Sequence, residues 1–115
     1  MSSQEQLIGQ IIGQLKGEGA QDIQTKVDLE SEYTMRMIGG HVPDITATIG
    51  NGLHLYVVVT SDALEDERAA ERWRAFADYA QRGAATLHIA IPKGEQELLD
   101  GVPADVKEAA EVVEL

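Results

Sequence analysis

Cysteine is absent from all 115 residues, which excludes disulfides, thiolate nucleophiles and zinc–thiolate centres together. Aromatic residues are scarce, with one Trp, one Phe and three Tyr. Trp73 and Phe76, at i and i+3, fit a core stripe better than a base-stacking platform. Positive charge is scarce too: nine Lys and Arg stand against twenty Asp and Glu, a net charge of −11. Nucleic-acid binding relies on basic side chains that displace counterions from phosphates, so this field disfavours DNA, RNA and anionic membranes. Long apolar runs are missing. The longest, residues 55–59 (Leu-Tyr-Val-Val-Val), has the length of a strand rather than of the roughly 20 residues a bilayer span needs. Met1-Ser2-Ser3-Gln4-Glu5 shows no basic segment leading into an apolar stretch, so no export signal is expected and the expected location is cytoplasmic.

What is present suits a single domain spanning residues 1–115. Apolar residues make up 43 % and charged residues 25 %, close to globular averages. Residues 4–16 place Leu7, Ile8, Ile11, Ile12 and Leu15 on one broad helical face. Gly9, Gly13 and Gly17 recur on a neighbouring stripe, each interior one costing about 1 kcal/mol of helix propensity against Ala. Close backbone packing would offset that cost, either against the protein's own sheet or against a helix of a second copy in a homodimer. Gly17-Glu18-Gly19 ends the helix.

Residues 24–38 read as one or two extended segments, followed by Gly39-Gly40 and a strand over 44–49 with Ile45, Ala47 and Ile49 on one face. Asn51-Gly52 signals a hairpin turn into a strand over 53–60 that is apolar on both faces and therefore central. Asp62-Ala63-Leu64-Glu65 has the form of a capping box opening one helix over residues 62–82. A strand over 85–91, short helices over 95–100 and 103–111 and a short strand at Val112-Val113 complete the chain.

The α-β-β-β-α-β order resembles the PD-(D/E)XK, or restriction-endonuclease-like, nuclease superfamily. The resemblance is carried by Gly39-Gly40-His41-Val42-Pro43-Asp44-Ile45, by the hairpin to Leu55-Tyr56-Val57-Val58-Val59, by Trp73-Arg74-Ala75-Phe76-Ala77, and by Ile89-Ala90-Ile91-Pro92-Lys93-Gly94. It implies an α/β fold whose mixed sheet is flanked by helices. It also implies Mg²⁺-assisted phosphodiester cleavage by an Asp on one strand, an acid on the next and a Lys two residues on. With Asn51-Gly52 as the loop, Asp44 faces Val59, where the family places its second acid, and Ser61 falls where it places Lys. One ligand of three remains, and Val cannot hold a hard cation.

Replacement ligands are conceivable in Asp62, Glu65 and Glu5, with Arg68 or Arg72 as the cation. Asp62 and Glu65 serve better as helix caps, and Asp44 equally well as a turn residue after Pro43. His41, His54 and His88 are scattered and form no metal motif; surface or core roles are expected. No serine sits in a nucleophile elbow, and no glycine pattern matches a phosphate loop or a dinucleotide fingerprint. The expectation is a nuclease-like fold without a complete catalytic site and without a cofactor, acting in binding or assembly. The alternative is a Mg²⁺-dependent DNA endonuclease with ligands relocated around Asp44.

Overall fold

A computed structural model describes residues 4–25, 43–83 and 85–115. It is an α/β structure in which helices flank a five-stranded mixed sheet. The chain runs α1 (Gln4–Gly17), β1 (Gln21–Thr25), β2 (Ile45–Ile49), β3 (Gly52–Val58), α2 (Ser61–Leu64), α3 (Ala69–Gln81), β4 (Thr86–Ile91), a 3-10 helix (Gln96–Gly101), α4 (Ala104–Ala109) and β5 (Ala110–Glu114). The strands lie side by side in sequence order. β1–β2 and β2–β3 are antiparallel, and β3–β4 and β4–β5 are parallel. The antiparallel β2–β3 pair needs only a tight turn, whereas each parallel pair needs a crossover. These crossovers are the α2–α3 segment and the 3-10–α4 segment.

Both crossovers cover one sheet face. There Trp73 and Phe76 of α3 and Val106 of α4 pack on Leu55, Val57, Leu87 and Ile89. On the other face α1 lays Leu7, Ile8, Ile11 and Leu15 over Ile45, Tyr56, Val58 and Ala90. The central strands are thus apolar on both sides, as the continuous run in β3 requires.

Five local expectations need correction. The extended segment before the hairpin begins at Gln21, and the expected strand residues 26–38 lie outside the described residues. Asp22 sits in a bulge of β1 with φ 52°. The helix expected over 62–82 is two helices. Asp66 accepts a hydrogen bond from Arg68 N at 2.9 Å, and such a local bond offers the backbone an alternative to continuing the helix. The cap of α2 is Thr60, whose Oγ1 accepts from Ala63 N at 3.3 Å, so the Asp62–Glu65 capping box does not form as expected. The glycine stripe of α1 does not approach the sheet: Gly9, Gly13 and Gly17 have nothing within 4 Å of where a Cβ would stand.

The fifth correction concerns register. Ile45 pairs with Tyr56 and Ile49 with Gly52, so the hairpin loop is Gly50-Asn51 rather than Asn51-Gly52. Gly50 has φ 61° and Asn51 does not have positive φ. Positive φ at the first loop residue alone is the type II′ pattern, which needs Gly there, whereas Asn-Gly in a type I′ turn needs it at both. The displacement is two residues along the strand, which leaves every side chain on its expected face.

Candidate functional site

Continuing the β2–β3 register places Asp44 across from Val57, not Val59. Asp44 is buried, and its Oδ2 accepts a hydrogen bond from Val58 N at 2.7 Å. A carboxylate that accepts from a backbone N–H just beyond the end of β2 ties the two strands together there. Val59 is fully buried in the core beneath α3, and its N–H continues the ladder to Ala90 O at 2.8 Å. Ser61, expected two residues beyond Val59 on the same face, is instead the first residue of α2, and both it and Asp62 are exposed. Glu65 is exposed at the C-terminal cap of α2. No group of three or more His, Asp or Glu side chains is gathered to hold a metal ion among the described residues.

The helix charges follow their caps. Asp66 accepts from Arg68 N and pairs with Arg72 at 3.3 Å, and the backbone hydrogen bond is the main cause that lowers its pKa. Arg82 pairs with Asp78 at 3.0 Å, four residues apart, while Arg74 turns to Asp105 of α4 at 3.2 Å. These pairs are exposed and contribute little to stability.

The fold gathers a different set of groups on the face beneath α1. His54 and Tyr56 stand two apart on β3 and so share a face; His88 is the register partner of Tyr56 on β4, and Glu111 that of His88 on β5. Three strands therefore set an imidazole, a phenol, a second imidazole and a carboxylate side by side. His54 Nδ1 and His88 Nε2 are 2.8 Å apart, with ring planes within 19°. Tyr56 stacks on His88 at 4.4 Å between centroids and 12° between planes. Glu111 Oε2 lies 3.5 Å from His88 Nδ1.

These side chains floor a cleft of about 250 Å³ whose rim includes Gln14 of α1 and Glu18 just past its end. Glu18 owes its place to the helix stop. Ala20 N donates to Leu15 O and Gly19 N to Lys16 O around Gly19 at φ 80°, a Schellman ending that turns the chain off α1 beside the sheet. Burial, then the carboxylates of Glu18 and Glu111, push the pKa of Tyr56 up. Burial above all, aided by His54, pushes that of His88 down against the opposing pull of Glu111 and Glu18. His88 is therefore a neutral imidazole at neutral pH.

The histidine pair escaped the sequence reading because residues 54 and 88 meet only through parallel pairing of β3 with β4. The available signal was modest: His54 shares the alternation phase of Tyr56, and His88 that of Ala90, within two largely apolar strands.

The class of protein defined here is an α/β domain with a five-stranded mixed sheet and an open cleft of mixed lining between that sheet and its first helix. No protein-family model, curated protein or solved structure matches the chain.

Proposed function

We propose that the chain is a non-catalytic binding and assembly module on a nuclease-like topology. The observation that carries this reading is the use of Asp44. Its carboxylate accepts the Val58 N–H at 2.7 Å and is buried, while the register sets apolar Val57 across from it and Val59 one alternation further. A Mg²⁺ ion needs oxygen donors in near-octahedral order, and neither valine supplies one. The surplus of eleven negative charges further disfavours a phosphodiester substrate. The lack of cysteine suits a reducing compartment, in keeping with a cytoplasmic setting.

The test is cleavage of single-stranded, double-stranded and branched DNA by purified protein in Mg²⁺ and then Mn²⁺. No turnover is expected. Turnover abolished by Asp44→Ala would establish the alternative, an endonuclease with ligands relocated to residues such as Asp62 and Glu65. The assembly part of the proposal is a symmetric homodimer. Light scattering at micromolar concentration should give twice the chain mass, and a mass near 12.5 kDa rejects it. Gly13 faces outward on α1 with open space beside it, so Gly13→Leu tests whether α1 forms the contact.

A further inference from the structure

The reading built on Asp44 leaves the cleft beneath α1 without a role. We propose that this cleft binds a small primary amine, its ammonium head held by the Tyr56 hydroxyl and the carboxylates of Glu18 and Glu111, its apolar body lying on the aliphatic wall.

The Tyr56 hydroxyl is the first argument. Tyr56 is only 7 % exposed, and its ring is stacked on His88, which the 2.8 Å bond to His54 holds in turn. The direction of the phenol is therefore set. Among the described residues its hydroxyl has no hydrogen-bond partner. No side-chain polar atom of those residues is sealed off without a partner, so the hydroxyl opens to the cleft that Tyr56 lines. A tyrosine buried this deeply usually finds a partner for its oxygen, and a ligand donor in the cleft supplies one.

Charge around that oxygen decides the kind of ligand. Glu18 and Glu111 line the same cleft, whereas no Lys or Arg does. Burial first, and then these two carboxylates, push the pKa of Tyr56 up, so both act on its hydroxyl through space. An anion entering there meets two like charges, and a cation meets two opposite ones. A primary ammonium carries three N–H donors, which one phenolic oxygen and two carboxylates answer. The bonds to the carboxylates are charge-assisted and the stronger ones.

The walls separate an organic cation from an inorganic one. Ile11 and Leu15 of α1, Ile49 of β2 and Val113 of β5 line the space beside the polar groups. A hydrocarbon body laid on them removes apolar surface from water, which a metal ion or ammonium itself cannot do. At about 250 Å³ the cleft falls just short of the roughly 300–1,000 Å³ that hold drug-sized ligands, so the ligand is small. An arylalkyl monoamine meets the demands of charge, wall and size together.

The experiment is an NMR titration of the full chain, read on the ring protons of His54 and His88. The probes share one phenylethyl body and differ in the head: 2-phenylethylamine, 2-phenylethanol and 3-phenylpropanoate. The amine should give saturable shifts and bind about tenfold tighter than the alcohol at low salt, with no binding of the carboxylate. Added salt should weaken the amine more than the alcohol. Glu18→Gln and Glu111→Gln, both at exposed positions, should each weaken the amine several-fold and leave the alcohol unchanged. Tyr56→Phe keeps the ring for its stack and should weaken the amine about threefold or more. Glu71→Gln, an exposed change on α3 across the sheet, should alter nothing. The absence of saturable shifts up to about 10 mM amine would overturn the proposal. So would equal affinity for amine and alcohol, which marks a merely apolar patch, or an equal loss in Glu71→Gln, which marks the diffuse charge of the whole surface.

Discussion

Replacing Asp44 separates a structural carboxylate from a catalytic one. Its Oδ2 accepts the Val58 N–H at 2.7 Å in a buried position at the end of the β2–β3 ladder. Asp44→Ala removes the acceptor and leaves a buried backbone donor beside the smaller side chain. A hydrogen bond to a charged group contributes about 1.5–3 kcal/mol net, and an abandoned buried donor costs about 1–3 kcal/mol, two views of one loss that do not add. The expected cost is therefore about 2 kcal/mol. With a urea slope of about 1.5 kcal/mol per M for a chain of this size, the unfolding midpoint should fall by about 1.3 M. Asp44→Asn keeps an oxygen acceptor but not the charge, and should lie between Ala and the parent chain. The assay is equilibrium urea unfolding followed by Trp73 fluorescence, since Trp73 is the only tryptophan and is buried under the sheet. A carboxylate retained for catalysis is often held at a cost to stability, so its removal leaves the midpoint unchanged or raises it. Either outcome for Asp44→Ala would refute the strand-tie role and weaken the non-catalytic reading with it.

Gly13→Ala should raise stability by about 1 kcal/mol in the same assay, because the position is helical and a Cβ there meets nothing within 4 Å; a loss of stability would mean that another surface covers it. Phe76→Ala should cost about 3–5 kcal/mol, since the ring is fully buried against β3 and β4, and a cost below 1 kcal/mol would contradict that packing. The His88 imidazole should titrate below the ordinary 6.5, because burial and His54 outweigh the pull of Glu111 and Glu18. A depressed folded value means that the unfolded chain takes up the proton first. The contribution of neutral His88 to stability is then fully present above pH 6.5 and is lost as pH falls through the folded value. Proton NMR of the ring follows this directly, and a midpoint at or above 6.5 would refute it.

Local patterns carried much of the architecture. The 3.6-residue period placed α1 with Leu7, Ile8, Ile11 and Leu15 inward, and the apolar stripe of Trp73, Phe76 and Ala77 was legible before any strand was paired. β2, β3 and β4 emerged from two-residue alternation and continuous apolar runs, each close to its observed bounds. These signals are short-range, and burial of one face enforces them wherever the element sits. The hairpin register was not legible, because a slip of two residues preserves every face and only Gly50 at φ 61° distinguishes the loop. The break between α2 and α3 turned on one Asp66 hydrogen bond that competes with helix continuation. Strand adjacency was decided only in three dimensions. Parallel pairing of β3 with β4 and of β4 with β5 joins residues far apart in the chain, and that alone brought His54, His88 and Glu111 to one cleft. Sequence alone determined which side chains face inward; tertiary pairing decided which of them meet, because neighbours across a sheet are chosen by crossovers that no local period records.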